Sequence, residues 1–247
     1  MPDAAGYRMK FGVIIPSTNT VVEADCSRLA PPGVTFHAGR MYLAQTSMAS
    51  DAAIEALLAE ARQALEVAIR DVMTCKPDAL VMGMSSETFR GGAAGNERFI
   101  ERVRGLSGLA VSTGASACTA ALKAHGSRRI AVLSPYQPVV DRLVTDYFKD
   151  TGVEVVRLKG LRCPSATAIA EIGEDAVRGY LRELDGPDVD AIVQVGTNLN
   201  MVRVADEAER WLGKPVLAIN AITLWHALRA NGIMDRIHGA GTLLREH

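Results

Sequence analysis

Leu109–Gly126 reads LAVSTGASACTAALKAHG, and Pro215–Gly232 reads PVLAINAITLWHALRANG. The two stretches resemble each other without a gap. Two more pairs recur in the same order. Gly12–Glu23, GVIIPSTNTVVE, resembles Ala131–Asp141, AVLSPYQPVVD, with one residue gapped; Ala79–Ser85, ALVMGMS, resembles Ile192–Asn198, IVQVGTN. Parallel βαβ units look alike in general, but three ordered matches, one of them gapless, point to an internal duplication.

Working outward from these segments, strands are expected at Phe11–Pro16, Val34–Leu43, Ala79–Met84, Leu109–Ser112, Ile130–Ser134, Val153–Leu158, Ala191–Val195 and Pro215–Ile219. Most are continuously apolar rather than alternating, as strands buried on both faces of a parallel sheet should be. Helix-length segments lie between them. The clearest is Asp51–Thr74, where Ile54, Leu57, Leu58, Ala61, Leu65, Ala68, Ile69 and Val72 mark one face, Asp51 serves as N-cap, and Lys76-Pro77-Asp78 stops the helix. The expected fold is therefore α/β: two pseudo-symmetric Rossmann-like halves, each a parallel four-stranded sheet flanked by helices through right-handed crossovers. The first half should hold residues 1–114, with 222–247 packing back onto it, and the second residues 115–221.

The bulk properties exclude several classes. Of 247 residues, 48% are apolar and 22% charged, and the formal net charge is −1. That is an ordinary soluble composition without the basic stripe of a nucleic-acid binder. No apolar run approaches the roughly 20 residues that span a bilayer, and the opening MPDAAGYRMK lacks a signal-peptide core. The four cysteines, Cys26, Cys75, Cys118 and Cys163, form no CxxC pair, and the five histidines are scattered. Reduced thiols, a cytoplasmic location and no metal are the expectations. Gly91-Gly92-Ala93-Ala94-Gly95 is not a dinucleotide fingerprint and no phosphate-cradling loop occurs, so no cofactor is expected.

Ligands of open parallel sheets bind outside the carboxyl ends of the strands. Two halves facing each other across a pseudo-twofold axis would line one cleft with the loops Pro16–Thr20, Gly83–Thr88, Ser134–Pro138 and Gly196–Asn200. These loops carry Ser17, Thr18, Asn19, Ser85, Ser86, Glu87, Tyr136, Thr197, Asn198 and Asn200. Many small donors and few charges suit a small carboxylate.

At these loops the sequence resembles the aspartate/glutamate racemase superfamily, in its maleate isomerase and arylmalonate decarboxylase branch. Pro16-Ser17-Thr18-Asn19-Thr20-Val21-Val22-Glu23 resembles the maleate isomerase start, which implies substrate contact by Asn19. Met82-Gly83-Met84-Ser85-Ser86 with Phe89-Arg90-Gly91 resembles the arylmalonate decarboxylase loop that holds a carboxylate through hydroxyls and backbone amides. Tyr136 after Ser134-Pro135 matches a tyrosine that also holds substrate oxygens, and Gly196-Thr197-Asn198-Leu199 matches the second-half loop. The resemblance implies substrate binding by Ser17, Asn19, Ser85, Ser86, Gly196, Thr197 and Asn198.

One departure matters more than these agreements. The family places a cysteine in each strand-end loop, or in the second alone, and here both positions read as glycine, Gly83 and Gly196. Without those thiols the nucleophile and carbon-directed proton carrier are missing. Glu87, a carboxylate in a partly closed cleft, and Tyr136 are the expected catalytic replacements. Glu23 and Cys163 are lesser candidates. The expected activity is cofactor-independent chemistry on a small carboxylic acid through an enolate-like intermediate, by decarboxylation or isomerisation. A hydrolase using water activated by Glu87, or a non-catalytic small-acid binder, are the alternatives. The expected partner is a small carboxylate substrate, with no nucleic acid and no membrane; homo-oligomer formation is left open.

Overall fold

A computed structural model describes residues 3–44 and 46–247; Met1 and Pro2, the start of the expected first half, lie outside the described residues. Eight strands form among those described, all at the expected places: β1 (Met9–Pro16), β2 (Val34–Met41), β3 (Ala79–Met82), β4 (Val111–Ser112), β5 (Arg129–Ser134), β6 (Glu154–Gly160), β7 (Ala191–Gln194) and β8 (Val216–Ala218). They build two separate four-stranded sheets with the same internal order, β2-β1-β3-β4 and β6-β5-β7-β8. All pairings within both sheets are parallel. The continuously apolar runs mark central strands: every residue of β3 and β7 is buried, whereas edge strand β6 is half-buried or exposed throughout.

Helices α1 (Val22–Leu29), α2 (Asp51–Met73), α3 (Gly92–Ser107), α4 (Gly114–His125), α5 (Pro138–Asp150), α6 (Glu174–Leu184), α7 (Val202–Leu212), α8 (Ile219–Ala230) and α9 (Thr242–Glu246) cover the sheets. In α2 the buried residues are the eight expected ones, Ile54 through Val72. Its N-cap differs from the expectation. Ser50 takes that place, its hydroxyl accepting from the Ala53 N–H at 3.1 Å. Asp51 instead reaches across to the other half, where it accepts from the Val139 N–H at 3.1 Å and places a carboxylate at the N-terminus of α5. Helix α8 follows β8 but lies against α1, α4, β3 and β4.

Candidate active site

Four strand-end loops meet between the two sheets. Pro16 ends β1 and Thr18 and Asn19 follow it, Met84 and Ser86 follow β3, Tyr136 follows β5, and Thr197 and Asn198 follow β7. With Leu43, Met48, Leu57, Ala166 and Ile169 they line one cavity. It leaves ≈ 50 Å³ of room for the centres of water-sized molecules, several times the roughly 10–15 Å³ that a single water needs. Tyr136 is the only titratable side chain in this lining among the described residues.

Two of the site residues also hold the loops together. Asn19 Oδ1 accepts from the Val21 and Val22 N–H groups, both at 2.9 Å, closing the first turn of α1, while its Nδ2 donates to Thr197 Oγ1 at 3.2 Å. Asn198 Oδ1 accepts from the Thr20 N–H at 3.0 Å and Nδ2 donates to the Ala166 carbonyl at 2.9 Å, so this side chain clamps loops of both halves together. Thr197 Oγ1 donates to the Gly83 carbonyl at 2.9 Å.

Tyr136 is held from several sides. Its N–H donates to Ser134 Oγ at 3.2 Å, and its carbonyl accepts from the Arg162 guanidinium at 2.6 Å. Arg162, at φ 54°, also pairs with the buried Asp141, which accepts from Ser134 Oγ. A non-glycine residue in left-handed backbone is uncommon and tends to mark a functional constraint. The Tyr136 hydroxyl lies 3.4 Å from Ser85 Oγ. Burial raises its pKa above the ordinary tyrosine value, while hydrogen bonds to Ser85 and Ser86 act in the opposite direction.

The remaining expected residues are placed differently. Ser85 is buried behind the lining, in contact with Tyr136, whereas Ser86 faces the cavity. Ser17 turns away; its Oγ accepts from the Leu43 N–H at 3.0 Å. Glu87, expected as the acid or base, does not reach the cavity. Its oxygens accept from Arg62 at 2.8 and 3.0 Å and from Arg90 at 2.9 Å. Two guanidinium nitrogens, making three contacts, thus occupy both oxygens of this buried carboxylate. Glu23 pairs with Arg40 and lines a different surface cavity.

Gly83 and Gly196 have no room for a thiol in this chain. A Cβ at Gly83 would overlap Ile15 Cγ2, and one at Gly196, where φ is 126°, would overlap the Pro135 ring. Among the described residues no cysteine lines the cavity. Cys163, the candidate thiol from its place in the sequence, is buried, and burial pushes its pKa up to about 11. Burial also raises Cys26 and Cys118.

The apolar roof is not among the residues expected from sequence. The Met48 N–H donates to the Pro164 carbonyl at 2.7 Å and the Ala166 N–H to the Thr46 carbonyl at 2.9 Å, around an antiparallel bridge between Ser47 and Ser165. These are the loops after β2 and after β6, equivalent positions in the two halves. Applying the repeat to second-strand loops as well as to first- and third-strand loops would have marked them.

A sequence model described as arylmalonate decarboxylase matches residues 11–244. The chain belongs to the arylmalonate decarboxylase family. Maleate isomerase of Pseudomonas putida KT2440 is 27% identical over 246 residues, covering 95% of this chain and 96% of that one. Arylmalonate decarboxylase of Bordetella bronchiseptica is 27% identical over 227 residues, 90% of each chain. The fold is shared with a solved Nocardia farcinica maleate isomerase variant holding a covalently bound succinylcysteine intermediate: TM-score 0.85, 24% identity, 97% of this chain and 99% of that chain. This member of the arylmalonate decarboxylase family is an enzyme of the isomerase or lyase type. Among its described residues no helix is long and apolar enough to cross a membrane.

Proposed function

We propose that this chain is a cofactor-independent lyase that releases CO2 from a small malonate-type acid, using oxygen and amide groups where relatives of the family use thiols. The cavity lies between the halves assigned to residues 1–114 with 222–247 and to residues 115–221. The observation that carries the reading is the split character of its lining. Ser86, Tyr136, Asn19 and Thr197 supply polar groups, while Leu43, Met48, Leu57, Met84 and Ile169 supply an apolar wall.

A malonate-type substrate has two carboxylates on one carbon. One takes hydrogen bonds from the Tyr136 and Ser86 hydroxyls. The other meets the apolar wall, where its charge is poorly solvated. Its C–C bond breaks, CO2 leaves neutral, and the electron pair moves into the bond between the central carbon and the retained carboxyl. Negative charge then grows on the oxygens that already face the hydroxyl donors, so those hydrogen bonds strengthen in the transition state. Once CO2 has left, Tyr136, kept neutral by burial, turns that same hydroxyl proton from the oxygen to the carbon while Ser86 keeps its hydrogen bond to the oxygen, and the tyrosinate recovers a proton from solvent. Every role falls to an oxygen group, and no step needs a metal or redox partner.

Thiol addition, the route that a succinylcysteine intermediate implies in the Nocardia enzyme, fits less well, because Cys163 lies outside the lining with its thiol at about 11. The hydrolase alternative loses its base, since the Glu87 carboxylate is taken by Arg62 and Arg90. The test is CO2 release from a series of 2-substituted malonates by purified protein in chelator. Saturable release supports the lyase; stabilisation by the same acids without turnover would instead make the protein a binder.

A further inference from the structure

Glu87 turns from the substrate cavity toward a second concavity that the chemistry above does not use. Arg62, Arg90, Arg98 and Arg102 line it with Glu87 and Phe99, around ≈ 270 Å³ of open space. Four guanidinium groups thus converge with one carboxylate in the wall.

The charges there are unevenly satisfied. Glu87 is shared between Arg62 at 2.8 Å and Arg90 at 2.9 Å, and Arg90 also reaches Glu55 at 2.8 Å. Arg102 has only Glu66 at 3.2 Å, in a pair whose side chains are 45% and 60% exposed, the kind worth little in water. Arg98 forms no ion pair with any described residue. Its Nη2 lies over the glycines that begin α3: an added Cβ would stand 3.2 Å from it at Gly91 and 3.7 Å from it at Gly95. The lack of a side chain at Gly91 leaves the guanidinium room in the same concavity as the other three.

The geometry points to a binding site for a multiply charged oxyanion of the phosphate class. Guanidinium forks match the oxygens of such an anion, each offering paired charge-assisted hydrogen bonds. A concave wall with an excess of positive charge, four guanidinium groups to one carboxylate, also concentrates anions. A tetrahedral dianion has oxygens enough to engage Arg98 and Arg102 together, without removing Glu87 from Arg62 and Arg90. A single carboxylate would leave one of those two forks unmatched. The site stands apart from the substrate cavity and does not depend on the lyase assignment.

Isothermal titration with inorganic phosphate, at ionic strength fixed with sodium chloride, tests it. Wild-type protein should bind one phosphate saturably. Arg98→Ala should weaken binding by about tenfold or more, the cost of one charged hydrogen-bonding partner. This residue is exposed and unpaired, so its loss leaves the fold intact. Arg203→Ala, which removes an exposed guanidinium elsewhere, and Ser86→Ala, in the substrate cavity, should bind phosphate as wild type does. No saturable binding by wild type would overturn the assignment. So would binding lost in Ser86→Ala but retained in Arg98→Ala, which would place the phosphate in the substrate cavity.

Discussion

The Asn19 amide donates to the Thr197 hydroxyl at 3.2 Å, and that hydroxyl donates onward to the Gly83 carbonyl at 2.9 Å. One short chain of hydrogen bonds therefore joins the loops after β1, β7 and β3. Both positions at which the family resemblance expects a thiol, Gly83 and Gly196, sit at or beside this chain. Their backbone lies close to Ile15 and to Pro135, where a side chain has no space.

Asn19 has two roles that substitutions separate. Asn19→Asp keeps the acceptor for the Val21 and Val22 N–H groups but removes the donor to Thr197; Asn19→Ala removes both. The alanine variant should lose about 1–3 kcal/mol in urea unfolding, from the cap and the interrupted hydrogen bond together. The aspartate variant should lose clearly less, since a carboxylate suits a helix N-terminus. Equal losses would show that the cap contributes nothing.

Tyr136→Phe should lower kcat/KM by roughly 10²-fold, the scale of removing one donor to a developing oxyanion. Stability should change little, because the hydroxyl's contact with Ser85 Oγ, at 3.4 Å, is long. An unchanged kcat/KM would remove Tyr136 from the chemistry.

The same hydroxyl sets a pH signature. Burial raises its pKa, so the neutral phenol persists above the ordinary tyrosine value of about 10. Whatever the neutral form contributes to folding and catalysis is complete below about pH 10 and is lost as pH rises through the raised value. The alkaline limb of the kcat profile should lie above about pH 10, and the residual activity of Tyr136→Phe should lack it. A limb at lower pH that survives in Tyr136→Phe would point to another group.

Much of this arrangement is legible in the sequence, for identifiable reasons. The central strands can be read because burial on both faces leaves continuous apolar runs, and the duplication shows which runs correspond. The N-cap of α2 is displaced by one residue because Ser50 and Asp51 are both good caps, and the choice between them depends on Val139 in the other half. Glu87 is legible as a loop residue, but its direction is not. In the 3-10 turn Ser86–Phe89 each residue rotates about a third of a circle from the last, so Ser86 faces the cavity and Glu87 the arginines. The roof, Met48 against Pro164, rests on contact between loops distant in sequence, which no local pattern encodes and only the repeat, extended to the second-strand loops, marks.

Restoring a thiol should fail. Gly196→Cys must place a side chain at φ 126° against the Pro135 ring, and strain plus overpacking should cost about 2 kcal/mol or more. Thermal unfolding should show the loss, with no maleate isomerisation gained. A stable Gly196→Cys variant that isomerises maleate would show that this loop yields more readily than its contacts imply.

Whether oxygen groups carry the chemistry in place of thiols is decided by replacing Cys26, Cys75, Cys118 and Cys163 with alanine together. Folding is confirmed first by circular dichroism. CO2 release from 2-substituted malonates is then measured beside wild type. Turnover by oxygen groups requires kcat/KM to stay within a few-fold of wild type, because none of the four cysteines lines the cavity. Loss of turnover in the folded cysteine-free protein, restored by returning Cys163 alone, would contradict it and assign the reaction to that thiol.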